Sequence, residues 1–218
     1  SMSIVTALAS ITDAGRLVIV KRADGKIYMP GGINQIGNQL PGEGYQAYLN
    51  AKDTLIYPAN SAGRTSNNNN VQDYDARNIK LDYEFTGNNA SLILDIDLAD
   101  NSEIAVMNNE NKIVGAGRVV DGRTVIAIWG NDEISNYELR IMNYDVNSGR
   151  YSEITDIEFI DIITNQTFKK LIYNKDAVYI AKVMTSDMKL SVNPNPFSNT
   201  TEFVYELAND CEIELALF

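Results

Sequence analysis

The sequence predicts a mainly β protein: an antiparallel β-sandwich with a small N-terminal helix-plus-hairpin unit and a short C-terminal strand segment. Three observations predict it. Short runs rich in Val, Ile, Leu and Tyr recur between turn signals such as Asp24-Gly25, Asn108-Asn109, Asp121-Gly122 and Asn147-Ser148-Gly149. Alternation marks the best of them, where Leu92, Leu94, Ile96 and Leu98 interleave with Ile93, Asp95, Asp97 and Ala99, so one face packs inward and the other is mostly wet. Helical spacing occurs convincingly in one place, residues 3–11.

In chain order, Ser3 caps a short amphipathic helix whose Ile4, Leu8 and Ile11 share a face. Arg16 to Lys21 forms a buried-type strand, and Asp24-Gly25 turns it into Lys26-Ile27-Tyr28-Met29, which Pro30-Gly31-Gly32 ends. Tyr45 to Leu49 turns through Asn50–Asp53 into Thr54–Pro58 as a second hairpin. These residues, 1–60, make the small α+β unit, which either stands alone or shares a core with the sandwich. Residues 61–75, with Asn67 to Asn70, form a polar linker or loop. The sandwich occupies 76–188, with strands expected at Ile79–Thr86, Ser91–Leu98, Glu103–Asn108, Ile113–Val120, Arg123–Trp129, Tyr137–Tyr144 and Tyr151–Phe159. A last segment, 189–218, begins with a strand, passes two prolines and returns to β-prone sequence. The opening Ser1-Met2-Ser3 reads as a tag remnant.

Composition excludes more than it assigns. The chain has 218 residues, 18 Lys and Arg against 29 Asp and Glu, and a net charge of -11. That balance repels phosphate backbones, so nucleic acid is not an expected partner. No apolar run approaches the ~18 residues of a helical membrane span. With no histidine and one cysteine, Cys211, there is no Ser-His or Cys-His pair, no imidazole metal site and no intrachain disulfide. The acids Asp210 and Glu212 beside Cys211 oppose thiolate formation.

Candidate chemistry is sparse. Asp95 and Asp97 share a strand face and could contribute to a sandwich-type calcium site, although Asp95-x-Asp97-x-x-Asp100 fails as an EF-type loop because its sixth position is Asp100 and its twelfth is Val106. Asp145-x-Asn147-x-Gly149 fails likewise, with Arg150 where glycine is needed. Acid pairs such as Glu133 with Glu138, or Asp156 with Asp161, are the raw material of a glycoside hydrolase, but an acidic surface produces such pairs without function. Gly115-Ala-Gly117 and Gly42-Glu-Gly44 lack the third glycine of a dinucleotide loop and read as turns or close-packing points. Trp129, near a strand end, has two readings: with Tyr45 and Tyr48 it offers a stacking face for a glycan, and by its alternation with Ile126 and Ile128 it is a core residue.

The segment Leu190-Ser-Val-Asn-Pro-Asn-Pro-Phe-Ser-Asn-Thr-Thr-Glu-Phe-Val-Tyr-Glu-Leu207 resembles the start of the C-terminal sorting domain of proteins exported by the type IX secretion system. Pro194, Asn195, Pro196, Phe197, Thr201, Tyr205 and Leu207 fill its motif positions, and the strands that should come after Cys211–Phe218 are absent. Leu17–Pro30, Gly32–Gly37, Gly42–Tyr48, Glu103–Met107, Ile113–Gly117 and Ile126–Asp132 resemble non-catalytic regions that precede such domains. The resemblance implies a secreted or cell-surface protein that meets an export machinery, and a non-enzymatic module for spacing, adhesion or positioning of neighbours. No cofactor is implied. The alternative is a carbohydrate-binding module, calcium-assisted through Asp95 and Asp97; an acid-pair hydrolase ranks behind both. Unpartnered β-prone stretches at Glu202–Leu207 and Glu212–Phe218 are expected to pair with the sandwich or with another chain.

Overall fold

A computed structural model describes residues 2–59, 71–82, 87–96, 98–130, 137–183, 189–193 and 202–206. The chain divides into two compact units, Ser1–Lys182 and Val183–Phe218.

The first unit opens on two short helices, α1 (Ile4–Ala7) and α2 (Ala9–Asp13). Ser3 Oγ accepts the Thr6 N–H at 3.1 Å, the N-cap expected from the sequence. Ile4, Leu8 and Ile11 bury their shared face against Leu17, Val20 and Tyr28. Strands β1 (Leu17–Arg22), β2 (Ile27–Met29), β3 (Ile33–Asn34) and β4 (Tyr45–Leu49) form a sheet in the order β3-β2-β1-β4. The Asp24-Gly25 turn connects β1 to β2 as expected, with Arg22 N–H bonded to Lys26 O at 2.9 Å. Gly25 is required there twice over. Its φ is +82°, and a Cβ would overlap the Ala127 methyl and lie 3.7 Å from Trp129 Cζ2. The hairpin tip therefore seats directly on a sandwich strand.

Two five-stranded sheets make the sandwich. One has the order β12-β11-β14-β5-β8, from β5 (Asn89–Asp95), β8 (Arg123–Trp129), β11 (Ile157–Asp161), β12 (Gln166–Phe168) and β14 (Val178–Val183). The other runs β10-β9-β6-β7, from β6 (Glu103–Met107), β7 (Ile113–Arg118), β9 (Glu138–Asp145) and β10 (Arg150–Glu153), with β13 (Leu171–Ile172) also on β9. β5 pairs antiparallel with β8, β11 with β12, β6 with β7 and β9, and β9 with β10 and β13, whereas β14 runs parallel to β5, with Val178 opposite Ser91. Leu92, Leu94, Ile104, Val106, Val114, Ile126, Ile128, Leu139 and Ile141 fill the space between the sheets. Gly115 and Gly117 are close-packing points, where β7 lies against Thr124, Ile126 and Ala127 of β8.

Several expectations change. The second face of β5 is covered up to Ile93, with only Asp95 exposed at its end: Ile93, with Val125 and Val178, packs against Ile19, Ile27 and Ile33, so the N-terminal sheet forms a third layer sharing a core with the sandwich. Strand β4 pairs with β1, and Thr54–Pro58 makes no strand; the Ile56 N–H instead donates to Ser10 Oγ at 3.0 Å. Tyr151–Phe159 is two strands in different sheets, because the chain turns at Asp156, whose φ is +57°. Residues 79–82 are not strand but cross the outer face of β6 and β9, where Ile79 packs on Ala105, Met107 and Met142; residues 83–86 of that expected strand lie outside the described residues.

In the second unit, β15 (Lys189–Asn193) and β16 (Glu202–Glu206) pair antiparallel, with Leu190 opposite Tyr205. One edge of Glu202–Glu206 is thus occupied from within the chain. Residues 207–218 lie outside the described residues, as do Pro194, Asn195, Pro196, Phe197 and Thr201.

Candidate functional site

Where the N-terminal sheet meets the start of β5, a polar cleft of about 280 Å³ opens. Lys21 and Arg22 reach it from β1, Gln46 from β4, Asn88 and Asn89 from the entry to β5, and Lys175 and Asp176 from the entry to β14. Two of these residues are unusual for their burial. Lys21 is 2% exposed and Asn89 is 3% exposed.

Lys21 stands two residues beyond Ile19 on β1, so the alternation carries it toward the sandwich. Its Nζ donates to the main-chain O of Asn89 at 2.7 Å. That oxygen also accepts the Asp176 N–H at 3.0 Å, so it would keep a donor without the lysine. Burial pushes the Lys21 ammonium down from 10.5 to about 8, and the Asp176 charge offsets only part of that. Holding the amine charged there costs roughly 3 kcal/mol at neutral pH. Asn89 donates from Nδ2 to Ala23 O at 3.2 Å, while its buried Oδ1 has no hydrogen-bond partner among the described residues. Tyr48 Oη donates to Asp176 O at 3.2 Å and ties β4 to the same corner.

Arg22, at the cleft rim, is held by Asp24, to which Nε donates at 2.8 Å, and by Glu43 at 3.6 Å. Burial works against ionisation of Asp24, but the Arg22 hydrogen bond and charge and the Lys26 N–H together hold its carboxyl below the usual range.

The residues singled out from sequence do not converge. Trp129 is 3% exposed and belongs to the β8 face turned toward the Asp24-Gly25 hairpin, not to the space between the two sandwich sheets. A buried indole presents no face to a sugar. Tyr45 packs with the α1–α2 side of the N-terminal sheet and Tyr48 with its sandwich side, so the two rings point to opposite faces and cannot form one platform. Asp95 accepts a 2.8 Å bond from Arg123 Nη2 in an exposed ion pair, and Asp97 lies outside the described residues. Among the described residues no group of three or more His, Cys, Asp or Glu side chains gathers as a metal site.

Other acids have structural work. Glu138 pairs with Lys170 at 3.0 Å, while Glu133 lies outside the described residues. Asp161 accepts the Ile163 N–H and the Thr164 hydroxyl, each at 2.9 Å, and so builds the turn into β12. Asp145 does the same for the β9–β10 turn through Asn147 and Ser148. The cleft itself has one sequence signal, which paired acids and aromatic faces do not reveal: a lysine in phase with the core-facing Ile19 inside an apolar run.

Burial raises the phenols of Tyr28, Tyr48, Tyr74, Tyr151 and Tyr179 above their ordinary 10.0. The folded chain keeps protons that the unfolded chain releases, so this contribution is intact below pH 10 and is lost as pH rises beyond it. An alkaline titration read by tyrosinate absorbance and circular dichroism should show part of the twelve tyrosines ionising only as the fold is lost. Complete ionisation at ordinary pH with the fold intact would contradict the burial.

No protein-family model matches the chain, and no match was found among curated proteins or solved structures.

Proposed function

We propose that the chain is a non-catalytic structural module of a secreted or cell-surface protein, with the beginning of a type IX sorting domain at its C-terminal side. One observation carries this reading: the compact unit ending at Lys182 is succeeded by a separate unit whose paired strands β15, ending at Asn193, and β16, beginning at Glu202, flank the Pro194-Asn195-Pro196-Phe197 segment in the chain. Two prolines lack N–H donors and fix φ, so a sequence of this kind is unsuited to continuing a ladder. The first unit supports the same reading through three layers of apolar packing and acids committed to turns and ion pairs. Stiffness is what a spacing or positioning element needs.

The test is the address of the full-length gene product in a type IX-competent bacterium. It should reach the medium or cell surface while the export machinery is functional and accumulate inside the envelope when it is disabled. Equal export in both strains would sink the reading.

A further inference from the structure

We propose that Lys21 and Asn89 join through their side chains in an intramolecular isopeptide bond, with Asp176 as the proton relay, covalently tying the N-terminal sheet to the sandwich. The geometry brings the three together at one cleft. Lys21 Nζ lies 2.7 Å from the main-chain O of Asn89, the residue whose own carboxamide is the acceptor carbon. That carboxamide is buried, held by its Nδ2 on Ala23 O, and its Oδ1 has no hydrogen-bond partner among the described residues. Asp176 is anchored to the same carbonyl by its N–H and acts electrostatically on the amine. Burial supplies the remaining condition, an amine whose neutral form is about one molecule in ten at pH 7, far more than for an exposed lysine.

The reaction balances without a co-reactant. The neutral Nζ lone pair attacks Cγ of Asn89, forming a C–N bond while the carbonyl electrons move onto Oδ1. Asp176 takes one proton from Nζ and passes it to Nδ2. The carbonyl re-forms, the Cγ–Nδ2 bond breaks, and ammonia leaves through the cleft. A primary amine and a carboxamide become a secondary amide and ammonia, with no change of oxidation state. The product removes the buried ammonium that the free chain must hold, so the same burial that is unfavourable for the lysine favours the amide. The bond also closes a loop across 68 residues of sequence separation, between two layers otherwise held by side-chain packing and hydrogen bonds.

Intact mass spectrometry of the purified, denatured chain tests this directly. The expected mass is that of the sequence less one ammonia, and digestion should release a branched peptide containing both Lys21 and Asn89. K21R and N89A should each return the full mass of their own sequence, and D176N should remain mostly unlinked. A wild-type mass equal to the sequence overturns the bond, as does an ammonia loss that persists in both K21R and N89A; complete linkage in D176N overturns the relay. The first reading needs no variant, so misfolding of a mutant cannot shelter the proposal.

Discussion

Replacing Glu103 by alanine should destabilise the first unit by about 3 kcal/mol or more and release the strap that crosses its outer face. Glu103 begins β6 and is 1% exposed, yet its carboxylate has no facing cation within salt-bridge distance among the described residues. Its charge is solvated by three main-chain N–H groups and one side-chain amide. Oε1 accepts Arg77 N–H at 2.8 Å and Asn78 Nδ2 at 2.9 Å, and Oε2 accepts Asn78 N–H at 3.0 Å and Ile79 N–H at 3.1 Å. Charge-assisted bonds of this kind are the strong ones, and removing their acceptor orphans three consecutive N–H groups. Those groups belong to the segment that lays Ile79 onto Ala105, Met107 and Met142, so the apolar cover loosens with them. Glu103→Gln should fall between wild type and alanine, because one acceptor oxygen remains while the new amide points donors at donors. Urea unfolding monitored by circular dichroism measures the loss, and limited proteolysis between residues 71 and 82 reports the strap. An unchanged midpoint and unchanged protection would remove Glu103 from this role.

How far the sequence could be read depends on the range of the interactions involved. Ser3, Asp24-Gly25 and the alternation in Leu92–Leu94 act within a few residues: the helix cap and the hairpin stand as the sequence predicts, and β5 forms on the predicted alternation but spans Asn89–Asp95 instead of Ser91–Leu98. Sequence and structure part where a distant segment decides the outcome. Ile93 reads as half-exposed until Ile19, Ile27 and Ile33 arrive from the N-terminal sheet to cover it. Tyr45–Leu49 has β periodicity but no local signal that its partner is β1 rather than Thr54–Pro58. Asp156 breaks Tyr151–Phe159 by adopting positive φ, a conformation aspartate enters more readily than most residues but that its neighbours do not announce. The strands β12, β13 and β14 escape the sequence pattern for a related reason, since each is short or lies behind a turn built by a side chain such as Asp161. The aromatic platform fails on parity: residues three apart on one strand, Tyr45 and Tyr48, face opposite ways. Lys21 is legible in principle, because two residues beyond a core isoleucine its side chain has to enter the same layer.

The largest effect of a single methyl group is expected at Gly130, immediately after β8. Its φ is not in the left-handed region, so the constraint is space alone. A Cβ there would overlap the hydroxyl-bearing edge of the Tyr173 ring, meeting Cζ, Cε1 and Oη at once. The ring has nowhere easy to go. Tyr173 is 2% exposed, its N–H is bonded to Tyr137 O at 3.0 Å, and the two rings stack with centroids 5.1 Å apart and planes 6° from parallel. Accommodating Gly130→Ala therefore requires either unstacking Tyr173 from Tyr137 or pulling the end of β8 away from the Asn88 carbonyl, which accepts the Gly130 N–H at 3.2 Å. Overpacking of this severity costs about 3 kcal/mol, with the lost stacking adding up to roughly 1.5 kcal/mol, and lowers Tm by on the order of 10 °C for a unit of this size. A double-mutant cycle separates the mechanism from general damage. Tyr173→Leu alone should be destabilising through the volume it removes, but in the Gly130→Ala background it vacates the space the methyl needs, so the pair should cost less than the sum of the singles by roughly 1 kcal/mol or more. Strict additivity would mean that the methyl is tolerated and that Tyr173 does not set the approach of this strand end.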